Sequence, residues 1–203
     1  MGFYKNIMKI FFTPNTNFQA KFIRKEPIKI LADDGLNYKP ASVSFVEIET
    51  DKADDIAALL DRAKKWGKES YFSQDIADNA ESMHKEKIKN SATKFYVATL
   101  QNDKFEKLEP KNIQGMVEIK KIKPYHIEIM CLQAGPEALY TGQKTTYKNI
   151  GRSIIRALKA QKENKVISLM SMFSSANFYE KMGFEIVDTN KLLYVWKRFK
   201  PKH

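Results

Sequence analysis

Thr146-Tyr147-Lys148-Asn149-Ile150-Gly151-Arg152-Ser153 closes a loop and opens a helix. That helix is predicted from Asn149–Gly151 to about Lys162, with Ile154, Ile155 and Leu158 on its apolar side. A helix start leaves about four backbone N–H groups without intrahelical partners and carries a partial positive charge. Gly151 lets an anion approach that backbone closely, and Lys148 and Arg152 flank the same spot. A diphosphate suits these features; a plain loop-to-helix junction with solvated lysines suits them too. No GK[ST] comes after it, which excludes a P-loop, and the glycines of a dinucleotide fingerprint are missing.

Working outward, Tyr125–Leu132 alternates as a strand. Tyr125, Ile127, Ile129 and Cys131 fall on one face, and His126, Glu128, Met130 and Leu132 on the other. Gln133–Tyr147 reads as a loop. Downstream come a short buried strand (Val166–Met170), a short helix (Ser174–Met182) stopped by Gly183, and two strands, Phe184–Val187 and Leu192–Trp196. Upstream, Lys94–Leu100 and Ile113–Lys120 form an antiparallel hairpin. Val43–Glu49 is a strand leading to a helix capped by Thr50 or Asp51, with Ala53, Ile56, Ala57, Leu60 and Ala63 on one stripe and Gly67 at its end. Gln74 to about Lys89 is a second, more polar helix. Residues 1–40, interrupted by Pro14, Pro27 and Pro40, read as an irregular N-terminal extension ahead of a domain over 41–203. The order β-α-α-β-β-β-α-β-α-β-β implies an α/β fold: a mostly antiparallel sheet with helices on both faces.

Composition narrows the function. A single cysteine, Cys131, excludes an intramolecular disulfide and a Cys-cluster zinc site, and the three histidines lie too far apart for a spaced metal motif, so no metal is expected. The chain lacks a long apolar run, a signal-type start and the myristoylation pattern after Gly2, so the expectation is a soluble, cytoplasmic protein without a membrane partner. The net charge of +11 is uneven: +4 over residues 1–40, −2 over 41–140 and +9 over 141–203. The last third is where an anion is drawn. Nucleic acid and a multiply phosphorylated small molecule are two candidates, beside an ordinary solvated lysine-rich surface, and the Trp196-Lys197-Arg198-Phe199-Lys200 end motivates the first.

A second segment, Phe178-Tyr179-Glu180-Lys181-Met182-Gly183-Phe184, stands some 30 residues after the first, with the amphipathic helix and the buried strand between them. Together the two segments resemble the GNAT superfamily of N-acetyltransferases. Its signature, Gln/Arg-x-x-Gly-x-Gly/Ala, falls on Thr146 to Gly151: the last glycine is kept, Thr146 replaces the first Gln/Arg and Asn149 replaces the first glycine. The later aromatic pair with its Gly-Phe matches well, and the element order matches from about residue 43 to 199. The resemblance implies a mixed, mostly antiparallel sheet of six to seven strands. It also implies acetyl-coenzyme A, with its pyrophosphate on the backbone of Tyr147, Lys148, Asn149, Ile150, Gly151 and Arg152 and its pantetheine along Met130, Cys131 and Leu132, where family members splay two strands apart.

The implied reaction is direct attack of a neutral primary amine on the thioester. Tyr179 matches the family's tyrosine as the acid, Glu128 is nominated as the base, Glu118 is held in reserve, and His126 is a weaker candidate. Cys131 reads as a packed thiol rather than a nucleophile. Trp66, Tyr71 and Phe72 and the stretch 133–146 are expected to wall the pocket for a small-molecule or peptide amine. The competing readings are a catalytically silent relative that binds the coenzyme as sensor or scaffold, motivated by Thr146 and Asn149, and a basic nucleic-acid-binding module. The acceptor's identity and a homodimer stay open.

Overall fold

A computed structural model describes residues 20–88, 92–102, 106–136 and 144–198. Its strands are β1 (Ala20–Leu31), β2 (Tyr38–Ile48), β3 (Thr93–Thr99), β4 (Ile113–Lys123), β5 (His126–Ala134), β6 (Tyr147–Lys148), β7 (Val166–Met170), β8 (Glu185–Asp188) and β9 (Leu193–Lys197). The helices are α1 (Ala53–Trp66), α2 (Tyr71–Lys85), α3 (Ile150–Ala160) and α4 (Ala176–Lys181). The strands form one sheet in the order β6-β1-β2-β3-β4-β5-β7-β9-β8. Every neighbouring pair is antiparallel except β5–β7.

The sheet has nine strands where six to seven are expected. The first addition is β1, which pairs with β2 from Ala20↔Ile48 to Leu31↔Tyr38, so residues 20–31 are not irregular. Lys21, Arg24, Lys25 and Lys29 interrupt its apolar pattern, and only Ala20, Glu26 and Ile28 are buried. The second addition is β6, two residues long, held on β1 by Lys29↔Lys148 and Ile30↔Tyr147. Residues 1–19 lie outside the described ones.

Each face of the sheet carries its own core. On one face α3 buries Ile150, Ile154, Ile155 and Leu158 against Phe45, Tyr96, Val117, Ile127, Ile129 and Ile167. On the other, α1 and α2 bury Ile56, Leu59, Ala63, Trp66, Ile76 and Ala80 against Val46, Phe95, Val97, Ile113 and Met116. The α1 stripe runs through Leu59 and Trp66, with Leu60 only partly buried, because Trp66 in the last turn is drawn into the core. Lys52, rather than Thr50 or Asp51, is the N-cap, and its extended backbone carries no side-chain capping bond. Gly67 ends α1 at φ 69°, and a 3₁₀ turn over Gly67–Ser70 leads straight into α2, so that helix starts at Tyr71 rather than Gln74. Among the described residues no helix is long and apolar enough to cross a membrane.

Asp55 is the misfit in this packing. It is fully buried in the first turn of α1; its Oδ2 accepts the Glu49 backbone N–H at 3.3 Å, while its Oδ1 has no partner. Burial, reinforced by the charges of Glu49 and Asp54, pushes its carboxyl up to about 7. The folded state therefore holds a proton between the ordinary carboxyl range and about 7 where the unfolded chain has lost it, and stability falls as pH rises through that window. Asp55→Asn is expected to stabilise the protein on the order of 2 kcal/mol at pH 8. The gain should vanish near pH 4; urea unfolding at several pH values reads it, and a pH-independent difference would contradict it.

Candidate active site

The candidate site lies where the pairing of β5 with β7 ends. β5 and β7 pair in parallel from His126↔Val166 to Ile129↔Leu169, after which β5 continues to Ala134 and β7 ends at Met170. At the same point β5 carries one extra residue against β4. Glu118 pairs with Cys131 and Ile119 with Ile129, which leaves Met130 as a bulge. An inserted residue reverses the inside-outside parity of every later position in the strand. Ile127, Ile129 and then Leu132 pack with the α3 core, while Cys131 packs with the α1–α2 core. The strict alternation that set Cys131 on the Ile127–Ile129 face is therefore corrected: the bulge turns the thiol to the opposite side. Met130 is 47% exposed at the fork.

The start of α3 faces this fork. Asn149 is the N-cap in the left-handed region (φ 73°, ψ 17°), a conformation asparagine accepts more readily than most residues. No side-chain bond caps the helix, whose first turn is closed by Ser153 N–H donating to the Asn149 carbonyl at 2.8 Å. A Cβ on Gly151 would lie 3.5 Å from Phe178 Cζ and 3.8 Å from Leu132 Cδ2, so the helix entry, the strand beyond the bulge and the second sequence segment meet at this glycine. Arg152 is half-buried in the first turn. Lys148 turns toward β2 instead, its Nζ 3.8 Å from the Tyr38 ring centroid. Tyr147 is half-buried, pinned in β6.

Burial tunes the titratable candidates. Tyr179 is buried with its ring edge-on to Phe178 (5.0 Å) and Phe184 (5.8 Å), and burial pushes its phenol up to about 12, so it stays protonated. Glu118 is buried on the α2 side, and Asn79 Nδ2 donates to its Oε2 at 2.9 Å. Burial lifts its carboxyl above the ordinary range, an effect opposed by the Asn79 bond and helped by Asp75. Cys131, opposite Glu118, has its thiol pushed up to about 11 by burial and by the charges of Glu118 and Asp75, which disfavours a thiolate nucleophile. Glu128 is half-buried in the joined part of the fork, in register with Lys120 and Ser168. His126 Nε2 lies 2.9 Å from Ser168 Oγ, and burial lowers its imidazole.

The helix entry thus brings Leu132, Gly151 and Phe178 together, with Met130 exposed at the bulge two residues before Leu132; Glu128 and His126 sit below the fork, and Glu118 with Asn79 across β4. Asn79 carries no sequence signal, being one polar residue on a polar helix. Trp66, with Arg62, Gln114, Gly135, Tyr147 and Ile150, lines a cavity of about 230 Å³ beside the α3 entry, whereas Tyr71 is exposed. Residues 137–143 of the expected wall lie outside the described residues. Among the described residues no group of three or more His, Cys, Asp or Glu side chains is placed to hold a metal ion.

No protein-family model matches the sequence, and no curated protein matches it. Solved structures do. A Desulfovibrio desulfuricans protein assigned to the GNAT family of acetyltransferases is similar at TM-score 0.51 and 13% identity, over 76% of this chain and 98% of its own. The Campylobacter jejuni N-acetyltransferase PseH, in complex with acetyl coenzyme A, gives TM-score 0.48 at 17% identity over 76% and 99%. A GNAT-family acetyltransferase from Staphylococcus aureus gives 0.48 at 16% over 76% and 98%. The first of these likenesses carries the conclusion that the chain has the GNAT fold.

The site is held from behind by Gly115 of β4, where a Cβ would fall 2.7 Å from Ile154 Cδ1 and 2.8 Å from Ile150 Cγ2. Gly115→Ala is expected to lower stability by about 1–3 kcal/mol through overpacking under the first turn of α3. A denaturant midpoint equal to that of the unmodified protein would show that α3 yields without cost.

Proposed function

Because the chain has the GNAT fold, we propose that it is an acetyl-coenzyme A-dependent N-acetyltransferase acting on a primary amine. One observation carries this reading: the uncapped start of α3 at Asn149–Gly151 stands beside a strand fork whose bulge lies at Met130. The backbone N–H groups of the α3 start, Asn149 to Arg152, would hold the pyrophosphate, aided by the Arg152 side chain, whereas the expected contribution of Tyr147 and Lys148 is reduced by their pairing with β1; the edge of β5 at Met130, Cys131 and Leu132 would hold the pantetheine. The residues suit that group, since no side chain caps the helix start and β5 has no β7 partner beyond Ile129. When bound, the coenzyme supplies an acetyl thioester.

The chain's own groups divide the proton work. Tyr179, protonated across the physiological range, donates to the departing sulfur. A carboxylate takes the proton lost by the amine. Glu128 is the nomination from sequence, but Glu118 suits the role better: its raised carboxyl lies closer to neutral pH, Asn79 orients it, and it faces β5 just past the bulge. The acceptor approaches from the α1–α2 face, where Glu118 sits.

Two measurements test this. Coenzyme A at about a hundred times its Kd is expected to raise the melting temperature by roughly 5–10 °C, and Gly151→Trp to erase the shift while Gly151→Ala keeps much of it. No shift in the unmodified protein would reject the cofactor assignment. In acetyl transfer to an amine panel, Tyr179→Phe and Glu118→Gln are each expected to lower kcat by about 10²–10⁴-fold. Glu118→Gln should also remove the acidic limb of the rate profile, which the raised Glu118 carboxyl generates as protonation silences it. An unaltered limb in Glu118→Gln together with its loss in Glu128→Gln would return the base to Glu128. Coenzyme binding without thiol release for any amine would favour the silent relative that Thr146 and Asn149 suggest.

A further inference from the structure

α4 is too short to hold its own position, with six residues and one buried side chain, Tyr179. It is clamped to α3 at two points. At one end Phe178 lies on Gly151. At the other, eight residues along α3, the Lys159 ammonium donates to the Met182 carbonyl at the end of α4. The same Nζ lies 4.6 Å from the Phe184 ring centroid and 4.7 Å from that of Trp196. These contacts lead directly to Tyr179. The Met182 and Phe184 N–H groups both donate to the Tyr179 carbonyl, at 3.0 and 3.1 Å, and the Phe184 ring packs edge-on to the Tyr179 ring. The aromatic faces and the carbonyl together give a half-buried cation favourable electrostatic partners.

We propose that Lys159 is a positioning residue for Tyr179: its ammonium, held between Phe184, Trp196 and the Met182 carbonyl, fixes α4 against α3 and so sets where the phenol stands relative to the fork. The catalytic consequence rests on the acetyltransferase reading; the positional claim does not. Lys159 lies outside the proposed coenzyme-binding turn, in the last turn of α3 at its opposite end.

The test uses the full chain carrying 3-fluorotyrosine, with the Tyr179 resonance identified by its loss in Tyr179→Phe. Three variants separate the contributions: Lys159→Met removes donor and charge, Lys159→Gln keeps a donor without charge, and Lys159→Arg keeps both. Lys159→Met is expected to move or broaden the Tyr179 fluorine signal and to lower kcat about tenfold per coenzyme-binding site, with KM for the coenzyme changed less than about twofold. Lys159→Arg should restore the signal and bring kcat to within about threefold of the unmodified protein. A merely structural lysine would lower the melting temperature but leave kcat per folded site and the fluorine signal unmoved, and that result would overturn the proposal. So would a Lys159→Arg variant as impaired as Lys159→Met. Should Lys159→Met fail to fold, Lys159→Gln tests the charge alone: it is expected to move the fluorine signal and lower kcat several-fold, and an unmoved signal with unmoved kcat would overturn the proposal. A displaced signal in a protein that binds no coenzyme would uphold the positional role while rejecting the acetyltransferase reading.

Discussion

The parting of β5 from β7 after four residue pairs is the constraint on which the candidate site depends. A parallel ladder joins the strands as far as Ile129↔Leu169, and β5 then continues to Ala134 bonded on its β4 side. The bulge at Met130 falls at this point, and bulges bend and twist the strand that carries them. One inserted residue decides which core receives each later side chain. Leu132 is sent under the start of α3 and against Gly151, and Cys131 is sent to the α2 side beside Glu118.

Desolvation by the two cores then assigns the ionisable groups different capacities. The same burial that keeps the Tyr179 phenol protonated disfavours the Cys131 thiolate and raises the Glu118 carboxyl. In the proposed reaction, the donor on the α3 face and the acceptor on the α2 face would thus owe their protonation behaviour to one physical cause acting on different side chains. The strand carrying the bulge lies between them.

α3 acts as the strut that relates these parts. Its first turn rests on the bare backbone of Gly115. Its last turn and the residues just beyond it are capped by Arg198, whose guanidinium donates to the Lys159, Gln161 and Asn164 carbonyls. A cation there satisfies carbonyls that have no intrahelical partner and complements the negative end of the helix dipole. The excess of positive charge in the last third of the chain thus includes at least two cations, Lys159 and Arg198, committed to holding helices rather than drawing a ligand.

Much of this was legible in the residues. The apolar spacing of Ile154, Ile155 and Leu158 required a helix after Asn149, the glycine after Trp66 required a stop, and the two segments around Gly151 and Tyr179 implied the fold, because periodicity and turn chemistry are properties of neighbouring residues. The strand β1 was hidden, since its four cations face outward and blur a pattern that only pairing with β2 makes regular. The bulge was hidden too: alternation in Tyr125–Leu132 is unbroken as text, and the extra residue exists only relative to β4. For the same reason the sequence could rank Glu128 beside the fork but not see Asn79 reach Glu118 from a helix 39 positions away. Local order was thus determined by the chain alone; which carboxylate is buried, which face the thiol takes and which lysine clamps a helix were decided by long-range register, because burial and charge pairing depend on partners that the fold brings together.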